Sequence, residues 1–127
     1  MNGKVLTVTC VGTSRTLNTG DSITVQAQIN NSGSVTWTMY ITLEYRDSTG
    51  VLLRVSTGSE SVAPGVTINF NDIFNIPSEF EGENISVWCV VRKDSHMGEQ
   101  VTIGGCENLF YVQAPTVSAE VVRISVI

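Results

Sequence analysis

Charge is what this sequence has least of for its size. Asp, Glu, Lys and Arg make up 15% of its 127 residues, against about a quarter in an ordinary soluble domain. The shortage is greater on the basic side, with seven Lys and Arg against twelve Asp and Glu and a formal net charge of −5. Only Arg92 and Lys93 are adjacent basic residues. A phosphate backbone is gripped by clustered cations, so nucleic acid is excluded as an expected partner. Histidine occurs once, at His96. There is no Gly-x-Ser-x-Gly elbow, no phosphate loop and no pair of carboxylates spaced along one strand face. Without a base, a nucleophile or an acid pair there is nothing from which to assemble an active site. The expectation is therefore a protein that is not an enzyme and holds no cofactor or metal.

Cysteine is also scarce. Cys10, Cys89 and Cys106 contain no CxxC pair, and His96 neighbours none of them, so zinc-ligand spacing is absent. Three thiols permit one internal bridge at most. Apolar runs are short, and none approaches the roughly 18 residues of a membrane-spanning helix. Met1-Asn2-Gly3-Lys4 leads directly into strand-like sequence at Val5, without the apolar core of a secretory signal. This is expected either of a protein assembled without secretion, as virion proteins are, or of a module excised from a longer chain with an added Met. The expected location is a virion or an extracellular surface.

What the sequence does have is alternation. Leu6, Val8 and Cys10 share one parity within 4–11. Ile23, Val25, Ala27 and Ile29 alternate with Thr24, Gln26 and Gln28, which is the pattern of a strand with one dry face. Val35, Trp37, Met39, Ile41, Leu43 and Tyr45 alternate with Thr36, Thr38, Tyr40, Thr42 and Glu44. Asp47-Ser48-Thr49-Gly50 then turns the chain into Val51 to Val55, and Ser56 to Ser61 reads as a polar connection. Val66, Ile68, Phe70, Phe74 and Ile76 share a parity that Asp72 interrupts, so a bulge or bend is expected near Asn71-Asp72. Residues 77–84 read as a loop, Ile85 to Val91 as a strand, Asp94 to Glu99 as a hairpin tip, and Cys106 to Gln113 as the last strand of the set. No segment carries helical periodicity with caps. The fold class this predicts is all-β, an immunoglobulin-like antiparallel sandwich of about seven strands over residues 1–115. A small barrel is the competing fold. The expected core is Ile23, Val25, Trp37, Met39, Ile41, Leu43, Ile68, Phe70, Ile85 and Val87.

Three turn motifs carry a family resemblance. Gly20-Asp21-Ser22-Ile23-Thr24-Val25, Asn30-Asn31-Ser32-Gly33 and Val62-Ala63-Pro64-Gly65-Val66-Thr67-Ile68 resemble the cell-adhesion-related (CARDB-like) domains of prokaryotic surface proteins. The resemblance covers roughly residues 4–113. It implies an immunoglobulin-like module without catalytic residues, used in repeats, stalks and surface contacts, and similar modules decorate virions.

The sequence offers five sets of candidate functional residues. Glu79, Glu81 and Glu83 with Asn84 place alternate hard oxygens on one loop, as a calcium site would, but match no calcium motif; a solvated loop is the simpler reading. Trp88, Tyr40 and Tyr111 fall on outward parities, as platforms for sugar or protein do, although packing under a loop or at sheet edges is the simpler reading. Asn30-Asn31-Ser32 and Asn84-Ile85-Ser86 are glycosylation sequons, idle without secretion. If the hairpin folds symmetrically about Met97-Gly98, Cys89 and Cys106 lie opposite each other on the inward face, bonded or as neighbouring thiols, leaving Cys10 a buried free thiol.

The last candidate is the C-terminus. Val117, Val121, Val122, Ile124, Val126 and Ile127 make residues 116–127 a further strand, too apolar to hang in water. It is expected to pair with an edge of its own sandwich or of a neighbour. Together these readings predict a structural or assembly protein, a virion decoration or fibre subunit, with protein partners including copies of itself. The alternative is an adhesion or carbohydrate-binding module from a larger secreted repeat protein.

Overall fold

A computed structural model describes residues 3–8, 15–114 and 119–126. Within these, eight strands form two sheets, and the only helical element is a short 3-10 turn at Ser78–Phe80. The strands are β1 (Gly3–Val8), β2 (Arg15–Leu17), β3 (Ser22–Asn31), β4 (Trp37–Arg46), β5 (Leu52–Val62), β6 (Thr67–Asn75), β7 (Asn84–Arg92) and β8 (Gln100–Val112). One sheet has the order β1-β3-β6 and the other β2-β8-β7-β4-β5. All neighbours are antiparallel except β2, which runs parallel to β8. This is the immunoglobulin-like sandwich that the alternation implies.

Packing follows the parity of the sequence. Ile23, Val25, Ala27 and Ile29 on β3 meet Met39, Ile41, Leu43 and Tyr45 on β4 and Ile85, Val87, Cys89 and Val91 on β7 in one core between the sheets. Trp37 is buried there and Tyr40 is half-exposed, so the register of β4 is the expected one. Ile68 and Phe70 also point inward but are only half-buried, because β6 is the edge of a three-stranded sheet facing a five-stranded one. Val35 lies before β4 begins and is exposed.

Four boundaries differ from the expectation. The polar stretch 56–61 is strand, paired with β4 from Leu52↔Arg46 to Val62↔Trp37. Its residues pack against an already complete β4 and need no apolar face of their own. β8 begins at Gln100 rather than at Cys106. The loop after β6 carries Phe80, which is fully buried and stacks near Phe74 and Phe110, closing one end of the core. No bulge interrupts β6, whose register with β3 is continuous through Val25↔Asp72. Asp72 instead points inward and is buried.

The turns are held by the residues that marked them. The Asp47 carboxylate accepts hydrogen bonds from Thr49 N at 2.9 Å, Thr49 Oγ1 at 2.7 Å and Val51 N at 3.0 Å. Gly50 then takes φ of 88°, a conformation that L side chains avoid. Asn31 is fully buried and donates to the carbonyls of Val35 and Val62, tying the β3–β4 turn to the end of β5.

Candidate functional site

Asp72 holds the most elaborate polar cluster in the described residues. Tyr45 on β4 donates its hydroxyl to Asp72 Oδ2 at 2.7 Å, and Arg54 on β5 forks onto both carboxylate oxygens at 3.1 and 2.8 Å. The guanidinium also lies 4.0 Å from the centre of the Phe74 ring, in a cation–π contact. Burial would raise the Asp72 carboxyl, but the Arg54 fork, the Tyr45 hydroxyl and the Arg54 charge outweigh it and hold the group below the ordinary carboxylate value. The Tyr45 hydroxyl is driven far above its ordinary value, first by burial and then by the neighbouring carboxylate. All three groups are thus fixed in single protonation states. The cluster ties β6 in one sheet to β4 and β5 in the other; it is a clamp, with no group poised to exchange a proton.

The outward face of the five-stranded sheet gathers two of the aromatic candidates, Tyr40 and Trp88, both half-buried. Strand pairing sets Val55, Glu44, Trp88 and Gly105 side by side in one row, and Thr57, Thr42, Val90 and Ile103 in the next. The Trp88 indole lies flat across Gly105, where an added Cβ would meet ring atom Cε3 at 2.3 Å. One edge of the ring borders a shallow hollow with Arg46, Asp47, Ser86, Glu107 and Asn108. At the other end of the face, the β7–β8 loop folds back over the sheet and sets His96 edge-on to Tyr40, with ring centroids 5.2 Å apart. Tyr40 and Trp88 therefore share a face with Arg46, Arg92 and Glu44, while Tyr111 is half-buried on β8. His96 is part of this loop packing.

Among the described residues no group of three His, Cys, Asp or Glu side chains converges as a metal would require. Glu81 is engaged by the Thr19 hydroxyl at 2.7 Å. No helix among the described residues is long and apolar enough to cross a membrane.

The two cysteines are not opposite each other. Ile85 faces Phe110 as expected, but Val87 faces Cys106 and Cys89 faces Gly104. Two steps on β7 are thus matched by four on β8, and Asn108 absorbs the excess at φ of 50° with its N–H donated to Ser86 Oγ at 3.0 Å. The shift is an even number of residues, so both cysteines keep their inward parity and are buried. Cys89 is a free thiol and Cys106 is disulfide-bonded, so they are not bonded to each other. Burial pushes the Cys89 thiol up to about 12. Cys10 lies outside the described residues.

Two partners were open to the C-terminal segment, an edge of its own sandwich or that of a neighbour. Residues 119–126 lie outside both sheets with no regular secondary structure, so the expected strand on an edge of its own sandwich is not formed. Val121, Val122, Ile124 and Val126 are 79%, 85%, 89% and 102% exposed. A strand needs a partner ladder, and none of the described strands pairs with this segment. Val117 and Ile127 lie outside the described residues.

No family model matches the sequence, and no curated protein matches it. Solved structures do match the fold. A protein assigned as a β-galactosidase, from Bacteroides fragilis, superposes with a TM-score of 0.58 at 15% identity over 81% of this chain and 17% of its own. A β-glucuronidase from glycoside hydrolase family 2 gives a TM-score of 0.58 at 13% identity, over 82% of this chain and 10% of its own. A β-glucuronidase from Bacteroides uniformis gives 0.57 at 12% identity, over 82% and 12%. The chain spans less than a fifth of the length of these proteins, and at such identities the likeness is one of fold.

Proposed function

We propose that this chain is a non-catalytic, immunoglobulin-like building module that joins neighbouring protein subunits by donating its C-terminal segment as a strand. The observation that carries the reading is the exposure of Val121, Val122, Ile124 and Val126 on a segment that alternates in the strand pattern and has no cover in its own chain. Each such side chain gains about 1.5–3 kcal/mol on full burial, so a neighbour that offers an open ladder binds it favourably. In its finer form the module is a subunit of a virion decoration, a fibre or a similar surface assembly, and the cell-adhesion-related turn motifs support that use. Sedimentation velocity of the full chain against a Val122→Asp, Ile124→Asp variant tests the reading. Association with its native neighbours that vanishes in the variant supports it, and identical behaviour of the two proteins sinks it.

A second reading rests on the Trp88 row. A flat indole laid across Gly105 beside Arg46, Glu107 and Asn108 offers a stacking face with adjacent hydrogen-bonding groups, the arrangement that takes a sugar ring. The matched folds belong to enzymes whose names concern β-galactosides and β-glucuronides, which favours carbohydrate as this second partner class. Tryptophan fluorescence titrated with β-linked oligosaccharides tests it; a response lost in Trp88→Ala supports the site, and no response removes it.

A further inference from the structure

Resting on the strand-donation reading, we infer that the acceptor is the free edge of β6 in a second copy of this chain. The two sheets are unequal: β6 ends a three-stranded sheet opposite a five-stranded one, and among the described residues its only ladder partner is β3. The place beside it is where a fourth strand belongs. On that flank the gap between the sheets is only partly closed: the Phe70 ring reaches Gly58 and Arg54 reaches Asp72, but Ile68 and Phe70 remain half-buried, and Glu60 on β5 pairs with buried Met39 but is itself exposed. Of the other edges, β5 turns Arg54, Ser56, Gly58 and Glu60 inward, with large core-packed apolar side chains only near its ends, at Leu53 and Val62. β2 has three residues and β1, the other edge of the three-stranded sheet, has six, so both are shorter than the donor segment 119–126.

The donor segment fits β6 in one antiparallel register. Val122, Ile124 and Val126 share one face, and Val121, Arg123 and Ser125 the other. Setting Ile124 opposite Phe70 brings Val126 to Ile68, covering both half-buried side chains from the inside. The same register sets Val121 beside Ile73, which is 69% exposed on the outward face of β6, and places Arg123 and Ser125 beside Asn71 and Asn69. Val122 then lies over Asp72, whose carboxylate is already satisfied by Tyr45 and Arg54.

The strand that precedes the donor segment and the acceptor strand lie on opposite flanks of one molecule. The segment leaves from β8, the strand over which β1 packs, whereas β6 lies against β5. An interface between two different surfaces is head-to-tail, and repetition gives a ring or an open filament rather than a closed two-fold dimer.

The test is hydrogen exchange of the full chain at low and high concentration, read beside its sedimentation. The expected result is association beyond a dimer, with protection gained together at 67–75 and 119–127. Ile124→Asp and the surface change Ile73→Glu are expected to abolish or strongly weaken it, whereas Val55→Glu, on the outward face of β5, leaves it unchanged. If the chain associates and the tail is protected but 67–75 is not, the β6 assignment is overturned while strand donation stands. A chain that stays monomeric at every concentration overturns self-assembly on β6. An unprotected tail in the presence of native neighbours overturns strand donation as well.

Discussion

At Asp72 a carboxylate stands between two sheets, where burial alone would favour its protonated form. Arg54 and Tyr45 reverse that preference and lower its proton affinity below that of the unfolded chain. A depressed folded value means the contribution is fully present above the unfolded carboxylate pKa, near ~3.9, and is lost as pH falls through the lower folded value. Urea midpoints are therefore expected to hold from neutral pH to about 5 and to fall below about 4, with a weaker fall in Asp72→Asn. Truncation is harsher than titration, because Asp72→Ala strands both the Tyr45 hydroxyl and the Arg54 charge. That loss is expected to cost about 3–5 kcal/mol, against about 1 kcal/mol for Tyr45→Phe, which removes one neutral donor from an otherwise intact pair. Equal costs in chemical denaturation would show that Arg54 contributes nothing to the clamp. Cys89 makes a simpler case. With its thiol raised to about 12 by burial, it is expected to resist iodoacetamide at pH 8 in the folded protein and to react on unfolding.

At the scale of the strands, the β7–β8 hairpin shows what pairing adds to pattern. Gly105 leaves room for the Trp88 indole on the neighbouring strand, and any Cβ there would displace the ring or the Val87 carbonyl at 2.7 Å. Gly105→Ala is expected to destabilise by about 1–3 kcal/mol and to shift Trp88 emission toward the exposed range; unchanged emission and stability would mean the ring is not seated there. The same hairpin marks the limit of reading parity alone. Alternation placed Cys89 and Cys106 on the inward face, because a period of two survives any even shift. It could not place them opposite each other, because the extra residues around Asn108 carry no hydrophobic signal. Ser56 to Ser61 failed as a strand for a related reason: an edge strand beside β4 pairs through its backbone and needs few apolar side chains. Asp72 was visible as an irregularity, but its partners Tyr45 and Arg54 come from 27 and 18 residues away, a distance no local pattern spans.

For the whole molecule, the question is whether the C-terminal segment belongs to the fold or to an assembly. Its apolar alternation was plain in the sequence; that no strand among the described residues receives it is a fact of three dimensions. The described core closes without it: Leu109, Phe110 and Val112 at the end of β8 are buried, and Gln113 N donates to Leu17 O at 2.9 Å, fastening the last turn of chain before the segment begins. Val121, Val122, Ile124 and Val126 are 79–102% exposed, so their removal withdraws almost no apolar area that folding had buried. The hydrophobic contribution at stake in a single copy is near zero at about 25 cal/mol per Å². Deleting residues 119–127 is accordingly expected to leave the thermal midpoint of the dilute protein within about 2 °C, a shift that corresponds to less than about 1 kcal/mol in a domain of this size. At concentrations where the full chain associates, the same deletion is expected to remove the concentration dependence of that midpoint, because a partner that binds only the folded state stabilises by mass action. Calorimetry at two protein concentrations separates the cases. A dilute-state loss of several degrees would make the segment an internal strand of the sandwich, and a midpoint that stays concentration-dependent after the deletion would move the assembly surface elsewhere.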